Sequence, residues 1–336
     1  MVKSAKAAKS AKKTKRAIAA NRSVAATPDG PPRRKCGAMV SYYDMLENNP
    51  GTRQVLGNLE AATRSRTTAR GIADEARQEP VIIPVVVHVV HRTAAEKISA
   101  AQVKSQIEVL NKDFNATNPD IAGVPAPWNG IAGNARISFA LATANPKGKK
   151  TTGIVYKTTS KMRFSQNDGV KFSAQGGSDA WPSDRYLNIW VCNLGDGLLG
   201  YAQFPGGPAN TDGVVVLNTA FGNVGNVVAP FNLGRTTTHE VGHWLNLRHI
   251  WGDTEDCSGS DFIGDTPNQQ FPNRGKPSFP HATCGNGPHG DMFMNYMDYV
   301  DDAAMFMFTM GQVERMQVAI SLARAGFIAY GKELTS

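Results

Sequence analysis

The sequence predicts an α+β fold: helices packed on a twisted sheet, then an irregular C-terminal region that ends in one helix. Three observations carry this. VIIPVVVHVVH, beginning at Val81, is dense in β-branched residues and reads as a largely buried strand. A helix follows it, and then three more strand-like runs, ARISFALA (135–142), YLNIWVCNL (186–194) and GVVVLN (213–218). From Gly252 to about Thr309 periodicity gives way to Gly, Pro, Asp and Asn, and a final helix signal closes the chain. Strands and helices in this order build a layered sheet domain.

The first helix is announced by Ser99 with Gln102 three residues on, a capping-box pattern that satisfies orphaned N–H groups. Val103, Ile107, Leu110 and Phe114 then form one stripe at helical spacing, fit to lie on a sheet. Thr309 and Gln312 repeat the capping pattern ahead of Val313, Met316 and Ile320. Residues 38–78 are polar and Arg-rich with weak helical patterning, and no internal repeat is visible.

A chain of 336 residues with 41% apolar residues is large enough for a well-buried core. No run of about eighteen apolar residues occurs, so no membrane span is expected. The net charge of +8 is misleading as a guide to partners. Residues 1–36 contribute seven Lys and four Arg against the single acid Asp29, a balance of +10, so the other 300 residues sum to −2. The folded body is therefore not expected to bind nucleic acid, and residues 1–35 read as a low-complexity, disordered, solvated tail. The alternative is a tail that touches anionic polymers or lipid through its charge. Within it AIAA is too short for the apolar core of a signal peptide, so no standard export signal is expected.

The chemistry is concentrated in GRTTTHEVGHWLNLRH (234–249). Residues four apart share a helix face, so His239 and His243 can present two imidazoles to one metal, with Glu240 beside them but outside the ligand set. Zinc lowers the pKa of bound water toward about 7, and a neighbouring carboxylate can take the proton during attack on a peptide carbonyl. Two histidines at this spacing also occur on ordinary surface helices. His249, six residues after His243, weighs against that alternative, because a sharp turn would bring a third imidazole to the same metal.

HEVGHWLNLRH resembles the elongated HExxHxxGxxH motif of the metzincin metalloproteases. Its surroundings resemble the pappalysin family, most of all the ulilysin-type bacterial members, over about residues 80–325. NYMDY (295–299) is similar to that family's Met-turn, and DDAAMFMFTMGQVERM (301–316) to its C-terminal segment. The resemblance implies a metzincin catalytic domain: a mixed twisted sheet with a backing helix and an active-site helix in an upper subdomain (79–249), and an irregular lower subdomain (250–336) ending in a helix. It implies a zinc endopeptidase acting on proteins or peptides, with His239, His243 and His249 on zinc and Glu240 catalytic. Met297 would lie beneath the metal, and Tyr299 would help stabilise the tetrahedral intermediate. Taken alone, Met297 reads as a core methionine. One departure is Asn246, where the family has Gly; Asn tolerates positive φ best among other residues and is expected to strain the turn slightly. A turn spoiled by Asn246 would leave a zinc-binding, catalytically weak peptide-binding protein.

The same resemblance implies a disulfide between Cys257 and Cys284, and it likens RKCG (34–37) to a cysteine switch, in which Cys36 takes the fourth zinc position in a latent form. Residues 36–78 would then be a propeptide, cleaved near the Arg64–Arg70 cluster. The alternatives for Cys36 are a free tail thiol or a disulfide with Cys192, itself otherwise a buried strand thiol. The acidic loop from Asp253 to Asp265 suits calcium, and the resemblance supports Asp265 and Thr266 as ligands; a solvated acidic loop is the alternative. By resemblance Asp302 would pair with a basic P1′ side chain, favouring cleavage before Arg, although Asp301 and Asp302 also read as surface charges. A secreted or extracellular monomer is expected, from the family and the disulfide.

Overall fold

VIIPVVVHVVH forms β1 (Val81–His91), all but one of whose residues are buried, and both of its edges are paired. Along one edge lie β2 (Ile137–Leu141) and then β3 (Ile154–Thr158); along the other lies β4 (Leu187–Cys192), all parallel to β1. A strand covered on both edges and both faces has no solvent-facing side, which explains an apolar run interrupted only by His88 before it ends at His91. Pro84, which cannot donate to a ladder, sits just before the β4 pairing begins at Val85. β6 (Val214–Leu217) continues the sheet parallel to β4, and β5 (Gly200–Ala202) closes it antiparallel to β6, so the sheet is mixed. Strands β3 and β5 are absent from the sequence expectation.

The computed structural model describes residues 33–69 and 80–335. The expected basic tail over 1–35 lies outside the described residues, except for Arg33, Arg34 and Lys35. Residues 38–69 form two helices, α1 (Ala38–Asn48) and α2 (Thr52–Ala69), belonging to the same unit as the sheet. Helix α3 (Ala100–Phe114) starts at Ser99, whose side chain accepts from the Gln102 N–H. The capping box is only half made, because the Gln102 amide turns away to donate to the carbonyls of Asn218 and Phe221. Val103, Ile107, Leu110 and Phe114 are buried in the main core, as their spacing demands.

Helix α4 (Arg235–Trp244) is buried along its whole length and packs against α3, β5 and β6. After it the chain is irregular up to Thr309, with Cys257 and Cys284 joined in a disulfide at a Cα–Cα distance of 5.4 Å. Thr309 and Gln312 make the complete reciprocal cap of α5 (Met310–Ala323), and a short α6 (Gly326–Tyr330) follows. Among the described residues no helix is long and apolar enough to cross a membrane.

Candidate metal centre and active-site cleft

Helix α4 carries His239, Glu240 and His243, and its C-terminus determines where His249 falls. The chain leaves the helix in a Schellman turn: Leu247 N–H donates to Gly242 O at 2.9 Å and Asn246 N–H to His243 O at 2.9 Å. Asn246 occupies the left-handed position, at φ 74°, that glycine would otherwise take. The turn brings His249 back, and the Nε2 atoms of His239 and His249 lie 3.2 and 3.1 Å from His243 Nε2.

These three nitrogens fit a cation. His239 Nδ1 lies 2.7 Å from the Tyr296 carbonyl and His243 Nδ1 2.8 Å from the Leu247 carbonyl, so each Nδ1 carries the proton and each Nε2 presents a lone pair. His249 Nδ1 is held by Asp253 Oδ1 at 2.5 Å, and its ring stacks on Trp251 with centroids 4.3 Å apart. Converging lone pairs repel unless a positive ion lies among them, and nitrogens about 3.3 Å apart are what tetrahedral zinc at about 2.0–2.1 Å requires. Burial and mutual proximity push the pKa of His239 and His243 well down, keeping them neutral, the form that binds metal.

Cys36 Sγ joins this group, and the four ligand atoms lie within 4.8 Å of one another. Cys36 and Cys192 are both free thiols, so the alternative Cys36–Cys192 bridge does not form. Burial, then the Glu240 carboxylate, pushes the Cys36 thiol up, whereas a bound cation would act in the opposite sense. Glu240 lies with Oε2 3.3 Å from Cys36 Sγ, and burial raises its carboxyl to about 8 against the opposing influence of Cys36 and Arg34. Gly200 lets strand β5 come this close: a Cβ there would stand 2.8 Å from Glu240 Cγ.

Met297 is fully buried under α4, and a Cβ on Gly242 would fall 2.6 Å from its sulfur. Tyr299 reaches the same cleft, its hydroxyl accepting from the Cys36 N–H at 3.3 Å. Residues 35–37 lie along the sheet edge in parallel, through Leu199 N–H to Lys35 O and Gly37 N–H to Gly200 O, each at 2.9 Å.

Asp302 is no surface charge. It is fully buried at the N-terminus of α4, where Oδ2 accepts the N–H groups of Leu233 and Arg235 at 2.8 and 3.3 Å. Its Oδ1 pairs with Arg34 at 2.5 Å, and Arg34 also donates to Thr236 and to the Val300 carbonyl. Arg34 is a residue the sequence reading passed over, although it stands two positions before Cys36. Asp253, expected in a calcium loop, instead orients His249. Asp265 accepts from Thr309 Oγ1 and Gly311 N–H at the start of α5, and Thr266 donates to Asp261. Among the described residues, the only group of three or more His, Cys, Asp or Glu placed to hold a metal is Cys36, His239, His243 and His249.

The family model described as pregnancy-associated plasma protein-A matches residues 172–321. An extracellular metalloprotease of Verticillium alfalfae is 30% identical over 301 residues, covering 86% of this chain and 90% of the relative. Mature mirolysin of Tannerella forsythia, solved with a cleaved peptide, is 53% identical with a TM-score of 0.76, over 77% of this chain and 99% of that one. A promirolysin mutant from the same organism is 47% identical with a TM-score of 0.82, over 90% of this chain and all of that one. Motif, fold and relatives agree: the chain belongs to the pappalysin family of metzincin metalloproteases.

Proposed function

We propose that the chain is the zymogen of an exported, monomeric zinc endopeptidase that prefers Arg at P1′, with residues 36–78 as its propeptide and 79–336 as its catalytic domain (79–249 above the cleft, 250–336 below). One observation carries the latent state. Cys36 Sγ stands among the three imidazoles while Arg34, two residues away, is buried in an ion pair with Asp302. A segment anchored at both points covers the sheet edge that an extended peptide would use. The precursor of mirolysin aligns with 90% of this chain and the mature enzyme with 77%, which supports a propeptide of about this length. Relatives named as extracellular metalloproteases support export.

His239, His243 and His249 would hold the zinc. When bound, zinc supplies the positive charge that polarises a carbonyl and lets water ionise near neutral pH. Once the propeptide has gone, Glu240 faces the space left by Cys36 and takes the proton of the attacking water. Its carboxyl then passes that proton to the leaving amine. Tyr299 donates its hydroxyl to the oxygen that gains charge. Asp302 receives the guanidinium of a P1′ Arg as it receives Arg34. The proposal extends to calcium near Asp265 and Thr266. In its support, burial pushes Asp261, which accepts from Thr266, up to about 7, and a divalent cation would offset the cost of a buried carboxylate there.

The test is cleavage of peptides with Arg or Leu at P1′ by the processed enzyme, with and without a zinc chelator. Chelation should abolish turnover and zinc should restore it. Undiminished cleavage under chelation overturns the reading.

A further inference from the structure

Arg315 of α5 and Arg324, the residue that caps its end, reach carbonyls at the C-terminus of the active-site helix and in the turn after it, which have no partner within the helix. Arg324 donates from Nε to Trp244 O at 3.1 Å, lies 3.7 Å over the Trp244 ring, and pairs with both oxygens of Asp212. Arg315 donates from Nε to Asn246 O at 2.7 Å and from Nη1 to Glu60 Oε2 at 2.8 Å. Both guanidinium groups are buried, so each needs an acid. They differ in where that acid comes from. Asp212 belongs to the sheet domain, between β5 and β6, whereas Glu60 belongs to α2, within the propeptide.

Asn246 is also the position where the turn is most strained, a non-glycine residue at φ 74° between the second and third imidazoles. The next carbonyl, that of Leu247, is the one that accepts from His243 Nδ1 at 2.8 Å. A small rotation of this turn therefore moves the support of His243 and the path to His249 together.

We propose that Arg315 is a positioning residue of the metal centre, fastening the Asn246 turn, and that Glu60 makes part of this fastening a property of the latent chain that excision removes. This rests on the zinc and zymogen reading above. The charge-assisted bond from Arg315 to Asn246 O offsets the strain that glycine would avoid, and a cation at a helix C-terminus is favourably placed. Glu60 keeps that guanidinium aligned while the propeptide is attached. After cleavage Arg315 keeps only its carbonyl partner and the more distant charge of Asp261.

The test uses the full-length chain with Glu240→Ala, so that it cannot process itself, loaded with zinc and mixed with a colorimetric chelator; the rate of zinc loss is read. Arg315→Ala should lose zinc on the order of tenfold faster, as expected for a second-layer support of a metal ligand. Arg315→Lys should fall between it and the parent. Adding Asn246→Gly to either variant should slow the loss again, because the relaxed turn needs less fastening; a merely structural role for Arg315 predicts no such rescue. Glu60→Gln should accelerate zinc loss in the latent chain. Loss from Arg315→Lys at the parental rate, or acceleration that Asn246→Gly does not relieve, overturns the role of Arg315, and a parental rate in Glu60→Gln overturns that of Glu60. A parent that takes up no zinc overturns the reading beneath both.

Discussion

Arg34 and Asp302 meet at 2.5 Å with side chains 1% and 0% exposed, across 268 residues of sequence. The pair joins the segment before Cys36 to the N-terminus of the active-site helix. Breaking a buried pair by removing one partner typically costs about 3–5 kcal/mol, because the other charge is left uncompensated. Arg34→Ala should therefore loosen the propeptide and raise the activity of the unprocessed chain, read as peptide cleavage before any processed band appears on a gel. In the mature enzyme Asp302→Asn should reduce kcat/KM for an Arg-P1′ peptide by about a hundredfold and leave a Leu-P1′ peptide much less affected. Equal losses on both peptides would show that Asp302 supports the helix and does not select substrate.

Glu240 and Tyr299 both meet Cys36, Glu240 at its sulfur and the Tyr299 hydroxyl at its backbone. Glu240→Ala should lower kcat by about 100- to 10,000-fold with zinc content unchanged. Tyr299→Phe, which deletes one hydroxyl donor, should lower kcat by about 100- to 1,000-fold while KM moves little. Metal analysis of each variant separates lost chemistry from lost zinc. Wild-type turnover by Glu240→Ala would rule out its role as base.

How far the site could be read in the sequence follows from how local each relationship is. His239, Glu240 and His243 are set by helical spacing alone, so the motif exposed them. His249 was legible because the turn at Asn246 is also local. The β1 run and the α3 stripe were legible for the same reason. Strands β3 and β5 were not: β5 has three residues, and only its pairing with β6 defines it. Arg34 was not legible because its partner lies 268 residues away. Asp253 was read as one acid among several in a loop, and only the fold shows it beneath His249. The Gln102 side chain left its expected cap because buried carbonyls of another segment compete for it.

Cys257 and Cys284 close a loop of separation 27 in a region with few regular elements. On the loop-entropy account such a bridge contributes about 3.5 kcal/mol. A Cys257→Ser/Cys284→Ser variant in the Glu240→Ala background should lose stability of that order in denaturant unfolding, and its irregular segment should become the preferred site of proteolytic nicking. Unchanged unfolding and nicking would show that the segment is held by its packing alone.

His88 gives a pH dependence that belongs to the sheet and not to the active site. It lies fully buried on β1, with Nδ1 2.9 Å from Ser178 Oγ, Nε2 3.0 Å from Asn188 Oδ1, and Trp190 stacked at 5.2 Å. The Asn188 oxygen can only accept, so the neutral ring with its proton on Nε2 satisfies every partner. Burial lowers the folded pKa to about 4 from 6.5. The folded-state pKa is thus below the unfolded one. The contribution is complete above pH 6.5 and is lost as pH falls toward 4, where the unfolded chain binds a proton that the folded one refuses. A pKa lowered from 6.5 to about 4 corresponds to about 3 kcal/mol. The stability difference between the Glu240→Ala chain and the same chain with His88→Gln should therefore shrink by about that amount from pH 7 to pH 4, carboxylate titrations being common to both. A difference that stays constant over this range, or a His88 ring that titrates near 6.5 by NMR, would refute the assignment.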